Sequence, residues 1–131
     1  MLKQGLLGKE HAIVSHSNSA VAMGSGSLEV FSTPSMIALM ECAAAASVRA
    51  HLEPGKTTVG VSIDAKHISA TPLGMTVSCE SELLEVDGKR LVFKITAFDQ
   101  KGVIGTATHE RMIVDAKRFM EKASSKKDIK A

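Results

Sequence analysis

Glu41 is the single acid in the stretch from Ser32 to His51, where Met36, Ile37, Leu39, Met40 and the alanine run Ala43 to Ala46 surround it. A carboxylate in such a setting is destabilising by several kcal/mol if charged and unpaired. It must therefore be neutral, paired or beside a wet cavity. One reading is an ion pair with an arginine such as Arg111; the other is a nucleophile or general base. Thr33, just ahead of Pro34, reads as a plain helix N-cap. His67 closes the apolar face of a strand, where a hydrogen-bonded core histidine and a general base near neutral pH are both open. His109 and Arg111 alternate onto one face of the last strand, and exposed surface charge is the plain reading of both. Glu41, His67 and His109 offer no close-spaced ligand pair, so no metal site is expected.

The elements that position these groups follow from periodicity. Pro34 near the start and Pro54-Gly55 beyond the end predict one helix from residue 34 to about 52. Its apolar residues recur nearly all round the wheel, so it should be buried and closely packed, with Thr33 as its cap. From Lys56 to Ile68 residues alternate, with Thr57, Val59, Val61, Ile63, Ala65 and His67 on one face and Gly60 on the other. Met75 to Leu83 alternate likewise, Asp87-Gly88 marks a hairpin, and Asp99 to Gly102 turns into a last strand from Val103 to about Val114. Ile13 and Val14 suggest a short strand within Glu10 to Ser17. Asn18 to Ser27 reads as a mobile loop, Ala116 to Ala123 as a short helix, and Ser124 to Ala131 as a frayed Lys-rich tail. Eight residues of helix rise about 12 Å, so Thr33 and Glu41 cannot both touch one small group from one unbroken helix. A site shared between two copies, or one bridged by His67, answers that constraint.

With 131 residues the chain is expected to be a single domain. One long helix followed by an antiparallel meander gives an α+β fold, the sheet curved around the helix. Such a sheet leaves free edges, for which a homodimer is the natural closure. A net charge of +2, with no Trp or Tyr, gives no reason to expect nucleic acid. Cys42 and Cys79 fit reduced core residues of a cytoplasmic protein. No apolar run is long enough to cross a membrane.

The segments Thr71-Pro-Leu-Gly-Met-Thr-Val, Glu85-Val-Asp-Gly-Lys-Arg-Leu-Val-Phe and Gly105-Thr-Ala-Thr-His-Glu-Arg-Met-Ile-Val resemble the hotdog-fold acyl-CoA thioesterases. Within these they are most similar to the fluoroacetyl-CoA thioesterase branch, over about residues 28 to 114. The resemblance implies a hotdog fold, an acyl-CoA substrate hydrolysed without a cofactor, and a homodimer or a dimer of dimers. It also implies Thr33, Glu41 and His67 as catalytic residues, with Gly60 and Arg111 contacting the substrate. The branch's fluoroacetyl-specific member has an aromatic-rich lid before its catalytic threonine. Asn18 to Ser27 has no aromatic residue, which argues against strong fluoroacetyl selectivity. The rival function is a hotdog module that binds acyl-CoA or another small ligand without turnover; no hydratase motif is recognisable.

Overall fold

The computed structural model describes residues 2–128. Five antiparallel strands, β1 (Leu7–Ile13), β2 (Lys56–His67), β3 (Thr76–Asp87), β4 (Arg90–Asp99) and β5 (Gly102–Asp115), form one sheet in the order β1-β3-β4-β5-β2. Its edges are β1 and β2. Across it lies the long helix α2 (Thr33–Arg49), preceded by the four-residue α1 (Ala20–Met23); α3 (Ala116–Ser124) follows the last strand. The hotdog expectation, one helix held by a curved antiparallel sheet, describes this arrangement.

Capping fixes where α2 begins. Ser32, rather than the expected Thr33, is the N-cap: its side chain accepts from the Ser35 N–H, satisfying one of the orphan donors of the first turn. Thr33 becomes the first helical residue, and its hydroxyl is released for another partner. The helix ends at Arg49, short of residue 52, and Pro54 keeps the residue before it out of the helical region.

Met36, Met40, Ala43, Ala44 and Val48 form the buried stripe of α2 and pack on Val77, Cys79, Leu83, Phe93 and Ile95 of the sheet. Each fully buried large side chain contributes about 1.5–3 kcal/mol by leaving water. The strand under the helix comes close: a Cβ on Gly105 would stand 2.6 Å from the Met36 sulfur. The expectation that α2 is buried all round is not met, because Pro34, Ala38 and Cys42, spaced four apart, lie exposed on its far side. Cys42 is therefore not a core residue, whereas Cys79 is. A stripe buried on one side only is what a single sheet face can cover.

The strict alternation expected for β2 breaks. The β2–β5 register shifts between Gly60 and Ser62, leaving Val61 as an extra, exposed residue. A bulge of this kind moves the preceding residues to the other face. Thr58 and Gly60 thus face inward together with Ile63, Ala65 and His67. The turn after β3 also sits one residue later than expected, since Asp87 pairs with Arg90 and Gly88 (φ +60°) and Lys89 form the loop.

The segment expected to be a mobile loop is built. The Ser19 side chain caps α1 and Gly24 ends it with φ +68°, while main-chain bonds from Ala20 to Val30 and from Ser32 to Asn18 fasten its base. Beyond α3, residues 125–127 form a 3-10 turn rather than a frayed end, and residues 129–131 of the expected tail lie outside the described residues.

Candidate active site

Two groupings of functional side chains face the inner surface, one at each end of the span between Thr33 and Glu41. In the first, the Thr33 Oγ1 released by Ser32 lies 2.8 Å from His67 Nδ1 at the end of β2. The Phe31 ring stands edge-on to the imidazole at 6.5 Å. Burial pushes the His67 pKa below its ordinary 6.5, opposed by the smaller influence of the Ser69 backbone. The ring is therefore neutral at pH 7, able to take a proton.

The second grouping gathers on α2, β2 and β5. Glu41 Oε2 lies 3.6 Å from Arg111 Nη1, so the ion-pair reading of Glu41 is realised. Arg111 is 7% exposed, and Thr58 holds its guanidinium twice: Nε donates to Oγ1 at 2.9 Å and Nη2 to the Thr58 carbonyl at 3.0 Å. Gly60 lies against the carboxylate, where a Cβ would stand 2.6 Å from Oε2. Only the bulge at Val61 makes that approach possible, because unbroken alternation would turn Gly60 away.

His109 joins this grouping and was read from the sequence as surface charge; it is 1% exposed. β5 runs between β4 and β2, so its inward residues lie beneath α2. Its Nδ1 is 2.8 Å from the Ser62 carbonyl and its Nε2 3.2 Å from Arg111 Nη1. Burial lowers its pKa first and Arg111 adds to that, against the Ser62 bond and Glu41. The ring is thus neutral, and its 4.0 Å approach to Glu41 is not an ion pair. The sequence does not announce Thr58: a threonine in an alternating strand carries no signal that an arginine will be anchored on it.

Thr33 with His67, and Glu41 with Gly60 and Arg111, are each in contact, but the two sets are not brought together within one chain. Beside the first set opens a cavity of about 310 Å³, bounded by Ala20, Ser25, Phe31, Thr33, His67 and Ile68. A larger one of about 630 Å³ lies against α3, between Lys56, Lys89, Arg118 and Phe119, and contains none of the candidate residues.

The profile of the fluoroacetyl-CoA-specific thioesterases matches residues 14–117, which take in both groupings. The chain belongs to this family. A fluoroacetyl-CoA thioesterase from Streptantibioticus cattleyicolor is 40% identical over 98 residues, 75% of this chain and 70% of the relative. A solved structure of the fluoroacetyl-CoA thioesterase FlK superposes with a TM-score of 0.91 at 31% identity, covering 96% of this chain and 98% of that one. The fold alone extends further. A Thermus thermophilus protein described as a thioesterase superfamily member, 21% identical, gives a TM-score of 0.88 over 96% of this chain and 93% of that one. Among the described residues of this family member, no helix is long and apolar enough to cross a membrane.

Proposed function

We propose that this thioesterase cleaves small acyl-CoA thioesters at a site assembled from two copies of the chain. One copy supplies Thr33 and His67, and the other Glu41, Gly60 and Arg111. The observation that carries the reading is the separation of two well-formed half-sites by about 12 Å along α2. The free edge of β2 supports it. Antiparallel pairing of β2 with its counterpart, centred on Asp64 and passing over the bulged Val61, sets Gly60 opposite the partner's His67. The same pairing covers the exposed Pro34, Ala38 and Cys42 stripe of α2 with a second helix. Unpaired edges and an uncovered helix face are features that a homodimer removes.

At such a site the thioester carbonyl is polarised by the Gly60 main chain, and the Glu41 carboxylate either attacks the carbonyl carbon or takes a proton from the attacking water. Direct attack gives an acyl-Glu41 anhydride that water then opens; the other route gives the acid in one addition. In both, the C–S bond breaks and the CoA thiolate ends with a proton given up by the water consumed, which neutral His67 with Thr33 accepts and passes on. Arg111 faces the carboxylate and the substrate. No cofactor is required. We assign the chain to the cytoplasm, supported by its two free cysteines.

The acyl group belongs in the 310 Å³ cavity beside Thr33 and His67. Ala20 of α1 and Ser25, which line it, carry no aromatic ring to close over a small fluorinated group, and the one ring there, Phe31, stands edge-on to His67. One methylene changes binding in an apolar pocket by only about 1–3 kcal/mol, so acetyl-, fluoroacetyl-, propionyl- and butyryl-CoA should all be hydrolysed with modest differences. Thiol release measured across these substrates checks this. A fluoroacetyl preference above about 10,000-fold over acetyl exceeds what such a pocket supplies, and no release from any of them would leave ligand binding without turnover as the function.

A further inference from the structure

We infer that His109 is a positioning residue, whose unprotonated Nε2 pins the Arg111 guanidinium so that Nη1 faces Glu41. The inference rests on the reading of Glu41 as the group acting on the thioester. The Ser62 carbonyl, 2.8 Å from His109 Nδ1, can only accept, so Nδ1 carries the ring proton. Arg111 Nη1, 3.2 Å from Nε2, can only donate, so Nε2 presents its lone pair. Both ring nitrogens have partners of fixed role, and one tautomer satisfies them.

The arginine is then fully constrained. Of its five N–H groups, one on Nε and one on Nη2 go to Thr58 and one on Nη1 goes to His109. That leaves one N–H on each terminal nitrogen. Nη1, the nitrogen His109 holds, is also the one 3.6 Å from Glu41 Oε2. Removing the His109 acceptor lets the rigid guanidinium plane tilt about its two Thr58 bonds, which carries Nη1 away from Glu41. His109 itself has no lone pair left for a proton and is 1% exposed, so it takes no direct part in the chemistry. The groups facing its ring are Ser62 and Gly60 from β2, Glu41 from α2, Phe93 from β4 at 6.2 Å, and Arg111. The bulge that turns Gly60 toward Glu41 lies beside the Ser62 carbonyl that sets the tautomer.

The test compares His109→Phe, which keeps the volume against Phe93 and loses the acceptor, with His109→Gln, whose amide oxygen restores one. The Phe variant is expected to lose about 10- to 100-fold in kcat, the scale of a misplacement of about 1 Å, with KM for acetyl-CoA little changed, and the Gln variant to regain most of that loss. A merely structural histidine would lower the melting temperature in both variants and leave kcat per folded molecule intact, which would overturn the proposal. Equal impairment of the two variants would do the same. A measurement independent of folding variants is ¹⁵N NMR of the wild-type imidazole. The expected result is a protonated Nδ1 with a bare Nε2; a protonated Nε2 would also overturn the proposal. If wild type released no thiol from any acyl-CoA, the thioesterase reading would fail, and the NMR result would still decide whether Arg111 is held this way.

Discussion

Glu41→Gln is expected to lower turnover by about two decades or more, the scale of losing a general base or nucleophile, while the protein keeps its fold. The amide matches the carboxylate in shape but has neither its negative charge nor its basicity. Stability should change little, because the Glu41 side chain is 41% exposed, and a partly solvated ion pair contributes about 0–1 kcal/mol. Thiol-release kinetics together with a thermal melt separate the two uses of the residue. A purely structural pairing with Arg111 would show as a lower melting temperature with turnover per folded molecule preserved.

Gly60→Ala should be nearly as damaging to turnover and gentle on the fold. The added methyl would stand 2.6 Å from Glu41 Oε2 and 3.5 Å from both Arg111 and His109. Gly60 does not have a positive φ, so alanine suits the backbone there. The atom that must yield is the end of a flexible, partly exposed side chain. Glu41 therefore swings away while the strand stays in place. A displacement of about 1 Å at a reacting group lowers the rate by roughly 100-fold. The comparison of kcat with melting temperature decides the point, and an active Gly60→Ala enzyme would remove the contact between Gly60 and Glu41 from the account.

The parts of the fold written in local chemistry were legible from the sequence. Pro34 and Pro54-Gly55 bracket α2, and turn glycines with period-two alternation mark β3, β4 and β5. The first strand was placed late because its outward residues, such as Leu7 and Ile13, are themselves apolar, which blurs the alternation of an edge strand. The bulge at Val61 was invisible for a different reason. One extra residue leaves regular alternation on either side, and only the partner strand shows that the faces have exchanged. Gly60 was consequently assigned to the face opposite His67, although its substrate-contacting role was implied by resemblance. His109 and Arg111 were correctly put on one face of β5, but alternation cannot say which face a helix will cover. A threonine directly before Pro34 reads as the cap; Ser32, one residue earlier, makes the bond and leaves the threonine hydroxyl to His67.

Complementation tests directly whether each site draws on two chains. Glu41→Gln and His67→Ala chains, each inactive alone, are mixed under conditions that let subunits exchange. A mixed dimer holds one site with Thr33 and His67 from the first chain and Glu41 from the second, and one site lacking both. Random exchange of equal amounts should therefore restore about a quarter of wild-type activity, since half the dimers are mixed and each has one working site of two. Activity no higher than that of the separate variants, with mixed dimers demonstrated by differential tagging, would contradict a shared site.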